Sequence, residues 1–84
     1  MKYKVETLPL ADHYVVAAKD PERGEVKETF TLNESGVDML QLFCEGKDAA
    51  GVAQGIAEMY EAPIELVAKD VKAFEDRLKA KGFL

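Results

Sequence analysis

Hydrophobic and polar residues alternate along the first third of the chain, with the period of strands that bury one face. The alternation is weak over residues 3–8, which predict a short first strand, and Pro9 follows this segment. Residues 14–18 are rich in β-prone side chains and predict a second strand. The amino-terminal part of the chain is therefore expected to form a sheet.

A turn and a third strand are predicted next. Pro21 fixes its φ angle and Gly24 can adopt a positive φ angle, so residues 19–24 have the composition of a hairpin turn. The strand that follows, residues 25–32, alternates between two faces. One face carries Val26, Glu28, Phe30 and Leu32, and the other carries Lys27, Thr29 and Thr31. Apart from Glu28, the first face is apolar and is expected to be buried.

The apolar residues then change to the 3.6-residue period of helices. Asn33 occupies an N-cap position, Glu34 lies in the first turn, where a carboxylate favours the helix dipole, and Gly46 supplies a left-handed stop. Asp48 caps a second helix. The apolar faces of these two helices consist of Val37, Met39, Leu40, Phe43 and Cys44, and of Val52, Ala53, Ile56, Met59 and Tyr60.

Two glycines, Gly51 and Gly55, lie inside the second helix, where each costs about 1 kcal/mol relative to alanine. A close approach by a neighbouring element or a partner is one explanation. Simple tolerance on an exposed side is the other, and it is favoured here because a helical glycine alone does not identify a cause.

The third helix has the clearest period in the chain. Pro63 is placed at its first position, and Gly82 ends it. Its apolar residues recur at intervals of 3, 4, 3 and 4, and are Ile64, Val67, Val71, Phe74 and Leu78. This helix is therefore expected to anchor the core.

The order of the elements predicts an α+β fold, in which a three-stranded antiparallel sheet precedes three helices that cover one of its faces. The chain has 84 residues, enough for one core, so residues 1–84 are expected to form a single domain. The second and third helices, joined at residues 60–63, have the spacing of a helix-turn-helix.

The composition limits the possible binding partners and the possible disulfide or metal cross-links. A net charge of −5 disfavours nucleic acid, because nucleic-acid binding depends on Lys and Arg at phosphates. No apolar run approaches the roughly 20 residues that cross a bilayer, and the start lacks the pattern of a secretory signal, so a cytoplasmic protein with no membrane partner is expected. One cysteine and one histidine cannot form an internal disulfide or an ordinary four-ligand zinc site.

The chain also lacks the motifs of an enzyme or of a cofactor site. His13 beside Asp12 can be imagined as a catalytic dyad, but a surface polar pair is favoured. Cys44 lies on the apolar face of the first helix, where a lone cysteine is expected to be a small buried hydrophobe. The six glycines form neither a dinucleotide fingerprint nor a phosphate loop. No enzymatic activity, metal or cofactor is therefore expected.

Two further stripes run along the third helix. Glu65, Lys69, Lys72, Asp76 and Lys79 face away from the core and are expected to be solvated. A flanking stripe lies between that face and the core and consists of Leu66, Asp70, Ala73, Arg77 and Ala80. The flanking stripe can form the floor of a groove, although packing on the protein's own strands is favoured from the sequence alone.

The charge of the third helix argues against DNA binding, the most familiar function of a helix-turn-helix. Residues 61–84 contain five Lys or Arg and five Asp or Glu. A helix that reads DNA carries an excess of positive charge. The third helix is neutral, so any groove that it faces is expected to bind something other than phosphate.

Several short segments, taken in order, resemble the family of pyrroloquinoline quinone biosynthesis protein D (PqqD). The resemblance covers roughly residues 14–84. The matching segments are Asp20-Pro21-Glu22-Arg23-Gly24-Glu25, Leu32-Asn33-Glu34, Glu45-Gly46 before a capped helix that ends in Tyr60, Asp70-Val71 with Phe74 and Leu78, and Gly82-Phe83-Leu84.

The resemblance implies a winged helix-turn-helix domain that acts as a peptide chaperone, also called a precursor-peptide recognition element. Such a domain holds the leader of a ribosomally synthesised peptide and delivers it to a modifying enzyme, commonly a radical S-adenosylmethionine (SAM) enzyme. The leader adds as a strand to the third strand and lies against the third helix. Carried over by position, the peptide-binding residues are Lys27, Thr29, Phe30, Thr31, Leu66, Asp70, Ala73 and Arg77.

Two alternatives remain open at this point: a winged-helix DNA-binding regulator, and an adaptor that docks on a protein without a peptide ligand. The protein is expected to be a monomer, or a dimer that swaps its exposed strand.

Overall fold

The structure, a computed structural model, describes residues 2–84. Its elements are β1 (Lys4–Leu10), β2 (His13–Lys19), β3 (Val26–Leu32), α1 (Glu34–Cys44), α2 (Ala49–Tyr60) and α3 (Ile64–Ala80). The strands are antiparallel and lie in the order β1-β2-β3, so β1 and β3 are both edge strands. The predicted α+β fold, with three antiparallel strands before three helices, is confirmed.

The first strand is longer than the sequence predicts. It continues through Pro9, which lies opposite Tyr14, and ends at Leu10. Proline has no N–H group to donate to a neighbouring strand. It is therefore excluded from central strands but tolerated in edge strands. The two-residue turn into β2 places Ala11 at a φ angle of 43°.

The turn between β2 and β3 is built as its residues predict. The Asp20 carboxylate accepts hydrogen bonds from the N–H groups of Glu22 and Arg23, at 2.8 Å and 3.1 Å, and Gly24 has a φ angle of +72°. The hydrogen bonds from the backbone of Arg23 and then of Glu22 lower the pKa of Asp20, because they favour its charged form.

The helix caps are also confirmed, with one correction. The side chain of Asn33 accepts a hydrogen bond from the N–H of Gly36 at 2.9 Å, and that of Asp48 accepts one from Gly51 at 2.8 Å. Pro63, expected at the first helical position, is instead the N-cap of α3 and provides no side-chain hydrogen bond. Proline has no polar side-chain atom with which to cap a helix.

The core lies between the inner face of the sheet and the three helices. Phe83, beyond the end of α3, is buried with it. The core residues are Val16, Ala18, Leu32, Met39, Leu40, Leu42, Phe43, Val52, Ala53, Ile56, Val67, Val71, Phe74, Leu78 and Phe83. No helix in residues 2–84 is long and apolar enough to cross a membrane.

Val26, at the start of β3, is exposed although its face of the strand is expected to be buried. Four helical residues that the apolar spacing assigns to the core are also exposed: Cys44, Met59, Tyr60 and Ile64. Each lies in the first or last turn of its helix, where the period continues but the packing partner has ended. Near this end of α1 the buried residues are Leu42 and Phe43, which lie about 200° and 100° around the helix from Cys44.

The glycine in the middle of α2 has a packing role. A Cβ atom at Gly55 would lie 3.0 Å from Cδ1 of Leu42 in α1. The close approach of a neighbouring element, the less favoured explanation, is therefore correct for Gly55. Gly51 lies beside its own helix cap, where a Cβ atom would be 3.3 Å from the Asp48 carboxylate.

The charged residue on the inner face of β3 is neutralised by the end of the third helix. Nζ of Lys81 lies 2.5 Å from the Glu28 carboxylate and 5.4 Å from the centre of the Phe30 ring. Phe83 stacks on Phe30 with ring centres 5.8 Å apart. The carboxyl end of α3 is thus fixed against the first half of β3.

We expect Phe74→Ala to lower the free energy of unfolding by about 3 to 5 kcal/mol, because the substitution leaves a cavity in the middle of the core. The Phe74 ring packs beside Phe43, with ring centres 6.3 Å apart. Urea denaturation followed by circular dichroism measures the effect. The matched control is Lys69→Ala, an exposed site in the same helix, which is expected to change stability by less than about 0.5 kcal/mol. Equal midpoints for the two variants would contradict this packing.

The Tyr60 hydroxyl donates a hydrogen bond to the Asp38 carboxylate, which links α2 to α1. This hydrogen bond, with a smaller contribution from burial, raises the pKa of Tyr60 to about 12. Because the folded pKa lies above the unfolded value of about 10, the contribution of this link to stability is present below pH 10 and is lost as the pH rises through 12. We expect Asp38→Asn to return the Tyr60 pKa towards its ordinary value in an alkaline tyrosine titration, with Tyr60→Phe identifying the signal. A titration curve that Asp38→Asn leaves unchanged would exclude the link.

Candidate functional site

The outer edge of β3 offers backbone groups for pairing. In an antiparallel ladder every second residue of an edge strand directs its N–H and C=O away from the sheet. Within residues 2–84 no strand pairs with β3 on that side. Its last four residues, 29–32, include neither a charged residue nor a proline. This half of β3 is therefore open to strand addition.

The opposite edge of the sheet is protected. β1 contains Pro9, which cannot donate to a ladder. Its Glu6 forms an ion pair of 2.8 Å with Lys19 of β2, and charged side chains on an edge discourage pairing. The two edges of the sheet therefore differ, and β3 is the one suited to receive another strand.

A groove of about 460 Å³ opens beside the carboxyl end of β3. One wall is α3 and the other is the segment in which β3 passes into α1. α3 packs chiefly on α2, which leaves its side towards β3 uncovered. The residues that line the groove are His13, Thr31, Leu32, Asn33, Ser35, Gly36, Met39, Asp70, Ala73, Phe74 and Arg77.

The groove contains four of the eight residues that the resemblance implies. Thr31 lies on the β3 side, and Asp70, Ala73 and Arg77 lie on the α3 side. The flanking stripe of α3 therefore forms a groove wall, although packing on the protein's own strands was favoured from the sequence. The helical period of α3 brings Asp70, Ala73 and Arg77 to one wall, and Thr31 joins the lining because it lies at the carboxyl end of β3, where the groove opens.

The other four implied residues lie outside the lining of the groove. Lys27 and Thr29 are exposed on the outer face of β3. Phe30 faces the core side, where it stacks on Phe83. Leu66 lies one turn before Asp70 and is 60% exposed, so it continues the stripe beyond the groove. A role in binding stays a prediction for all eight residues.

Sequence reasoning missed the contribution of α1 to the groove. Ser35, Gly36 and Met39 lie in its first turns and line the wall opposite α3. The available signal was the cap itself: Asn33 follows directly after Leu32, so the first turn of α1 has to lie beside the end of β3. Gly36 is tightly placed there, since a Cβ atom would lie 3.1 Å from the Asn33 side chain and 3.2 Å from Leu32.

Among the described residues, the charged side chains of α3 form ion pairs on its solvated stripe but not on its flanking stripe. On the solvated stripe, Nζ of Lys72 lies 3.3 Å from the Asp76 carboxylate, and the carboxylate of Glu75, beside the stripe, lies 3.8 Å from both Lys72 and Lys79. On the flanking stripe, neither Asp70 nor Arg77 has an ion-pair partner within residues 2–84. The Arg77 guanidinium lies only over the Phe74 ring, 6.0 Å from its centre. The groove therefore presents one anion and one cation that an occupant can neutralise.

His13 is the lining residue at the start of β2. Its Nδ1 atom lies 3.1 Å from the Asp12 carboxylate, as expected of a surface polar pair. The hydrogen bond with His13 lowers the pKa of Asp12. The described part of the chain, residues 2–84, contains no group of three His, Cys, Asp or Glu side chains arranged to hold a metal ion.

Two other hollows lie along β1, at the opposite edge of the sheet, and share Val5 and Cys44. Cys44 was predicted to be buried but lies at their exposed rim. Partial burial of its sulfur raises the pKa of the thiol. The thiol therefore stays protonated near neutral pH, and the predicted burial of Cys44 is wrong.

Comparison with known proteins agrees with this description. A solved structure titled "TbiB1 in Complex with the TbiA(beta) Leader Peptide" matches with a TM-score of 0.69 at 24% sequence identity, covering 100% of this chain and 94% of that one, which shows the shared fold. No significant match to a curated protein was found. The model of the family described as "Coenzyme PQQ synthesis protein D (PqqD)" matches residues 15–84. Because that match spans most of the chain, this protein belongs to the PqqD family.

Proposed function

We propose that this protein binds the leader segment of a ribosomally synthesised precursor peptide and delivers it to a peptide-modifying enzyme. The observation that carries the proposal is the open, uncharged end of β3 beside a groove whose far wall is α3. An extended peptide can pair with β3 through its backbone while its side chains enter the groove.

Membership of the PqqD family and the fold shared with a leader-peptide complex support this function. The resemblance further implies that the modifying enzyme is, as is common in the family, a radical SAM enzyme. We expect maturation to take place in the cytoplasm. In this proposal the protein is a binding module without catalysis of its own. It supplies recognition, and the partner enzyme supplies the chemistry.

Backbone pairing with β3 provides most of the affinity, and the side chains provide selection. Thr31 and Ala73 both line the groove, and their small side chains leave room for a side chain of the leader. Asp70 and Arg77 select charged leader residues. Lys27, Thr29, Phe30 and Leu66 extend the contact beyond the two ends of the groove.

The helix-turn-helix arrangement of α2 and α3 favours one competing function, a DNA-binding regulator. The charge on α3 argues against it. Lys72 and Lys79 are engaged with Glu75 or Asp76, and Lys81 is engaged with Glu28. Duplex DNA binding that weakens steeply with salt is the result that would favour the regulator.

We expect the leader peptide encoded beside this protein to shift the amide signals of residues 25–32 and of α3 in the isotope-labelled protein. Strand addition also slows hydrogen exchange at the outward-facing amides of β3, because they become hydrogen-bonded. The matching amides of β1 serve as the internal control and are expected to keep their exchange rates. Shifts confined to other elements, or no shifts at all, would contradict the proposal.

Two single substitutions on α3 separate the groove from the solvated stripe. Arg77→Ala is expected to weaken leader binding by about 0.5 to 1 kcal/mol, as the loss of one partly exposed ion pair does. Lys72→Ala removes a cation of the same helix outside the groove and is expected to leave the dissociation constant unchanged. Calorimetric titration measures both variants. Equal affinities for the two variants would remove Arg77 from the site.

Oligomeric state provides a further test. A strand-swapped or edge-paired dimer uses the same edge of β3 as the leader, so peptide and partner copy exclude each other. We therefore expect the leader-bound protein to be a monomer by mass measurement in solution. A dimer that persists at saturating leader would favour the adaptor hypothesis.

A further inference from the structure

The flanking stripe of α3 carries one negative and one positive side chain in a fixed order along the helix. Asp70 and Arg77 are seven residues apart, which places them on one side of the helix and about 10 Å apart along its axis. Neither residue has an oppositely charged residue three or four positions away in the sequence, where a helix would bring the two charges together. Both charges are therefore available to an occupant of the groove, in a fixed order.

The position of each charge along β3 follows from the contact at the end of α3. Lys81 is bonded to Glu28 in the first half of β3, so α3 runs antiparallel to that strand. Arg77 lies about 6 Å back along α3, level with the interior of β3, and both Arg77 and Thr31 line the groove. Asp70 lies about 10 Å further, beside Asn33 and the first turn of α1, where β3 has ended.

An added strand has to match this distance with side chains on its α3-facing side. These alternate with side chains on the other face, so facing residues are separated by two or four positions, about 7 or 13 Å. Four positions match the axial distance more closely once the reach of two long charged side chains is included. Antiparallel pairing with β3 is slightly more stable than parallel pairing, and it continues the pattern of this sheet.

We propose that the groove selects leaders by charge order: a lysine or arginine that faces Asp70, followed four residues later by an aspartate or glutamate that faces Arg77. The inference rests on the proposed function and adds the class of leader that this groove accepts. An antiparallel leader enters beside Asp70 and leaves beside Glu28, so its cation precedes its anion. The reverse order places like charges together at both positions, which is unfavourable.

The test uses a display library of 12-residue peptides with a constant composition. Every peptide contains one lysine and one glutamate in a β-prone neutral background, and only the order and spacing of the two charges vary. The library is selected against the wild-type protein and against the exchange variant Asp70→Arg with Arg77→Asp. The matched control exchanges Lys69→Asp with Asp76→Lys, which are also exposed, also seven residues apart and also leave the net charge unchanged.

The wild-type protein and the control are expected to enrich lysine-first peptides with a spacing of four, and the exchange variant is expected to enrich glutamate-first peptides. Purified peptides of the two orders should differ about tenfold in affinity, and the difference should shrink at high salt. Peptides that shift the amides of β3 but show no preferred order, or the same order with the exchange variant, would overturn the inference and leave the proposed function standing. If no enriched peptide shifts the amides of β3, the proposed function fails together with the inference.

Discussion

The structure depends on how the carboxyl end of the chain is fixed to the sheet. Phe83 is buried between Tyr3 and Phe30, with ring centres 5.1 Å and 5.8 Å away, and its carbonyl accepts a hydrogen bond from the N–H of Lys2 at 2.9 Å. Lys81 neutralises Glu28 beside it. These contacts hold only the last part of α3 close to β3. The rest of the helix packs on α2, and the space left between α3 and the end of β3 is the groove.

The two edge strands of the sheet differ in how readily they can pair with another strand. In this protein the two edge strands differ in their residues, a proline and an ion pair on β1, rather than in how far other elements cover them. Pro9 and the Glu6–Lys19 pair make β1 a poor partner for another strand, whereas the end of β3 has no such protection. The open edge also borders the groove, so a strand that pairs there gains side-chain contacts as well as backbone hydrogen bonds.

Local signals predicted most of the fold. Caps at Asn33 and Asp48, turn chemistry at Asp20 and Gly24, and apolar spacing in α3 each depend on a few neighbouring residues, so the sequence alone locates them. It could not locate the limits of packing: Tyr60 and Ile64 continue the helical period beyond the region where another element covers them. The candidate site could be predicted only in part, because some of its residues lie on one helix and others come together only through packing. Asp70, Ala73 and Arg77 share a helix and follow from its period, whereas the contribution of Met39 depends on how separate elements meet.

The floor and the rim of the groove differ in their freedom to change. Phe74 and Met39 line it but also belong to the core, so substitutions there disturb folding as well as recognition. Asp70 and Arg77 are exposed, and surface positions of this kind tolerate replacement at small energetic cost. The charges beside the groove can therefore be exchanged while the scaffold is kept unchanged. A fold of this size can in this way alter the surface beside its groove without passing through unstable intermediates.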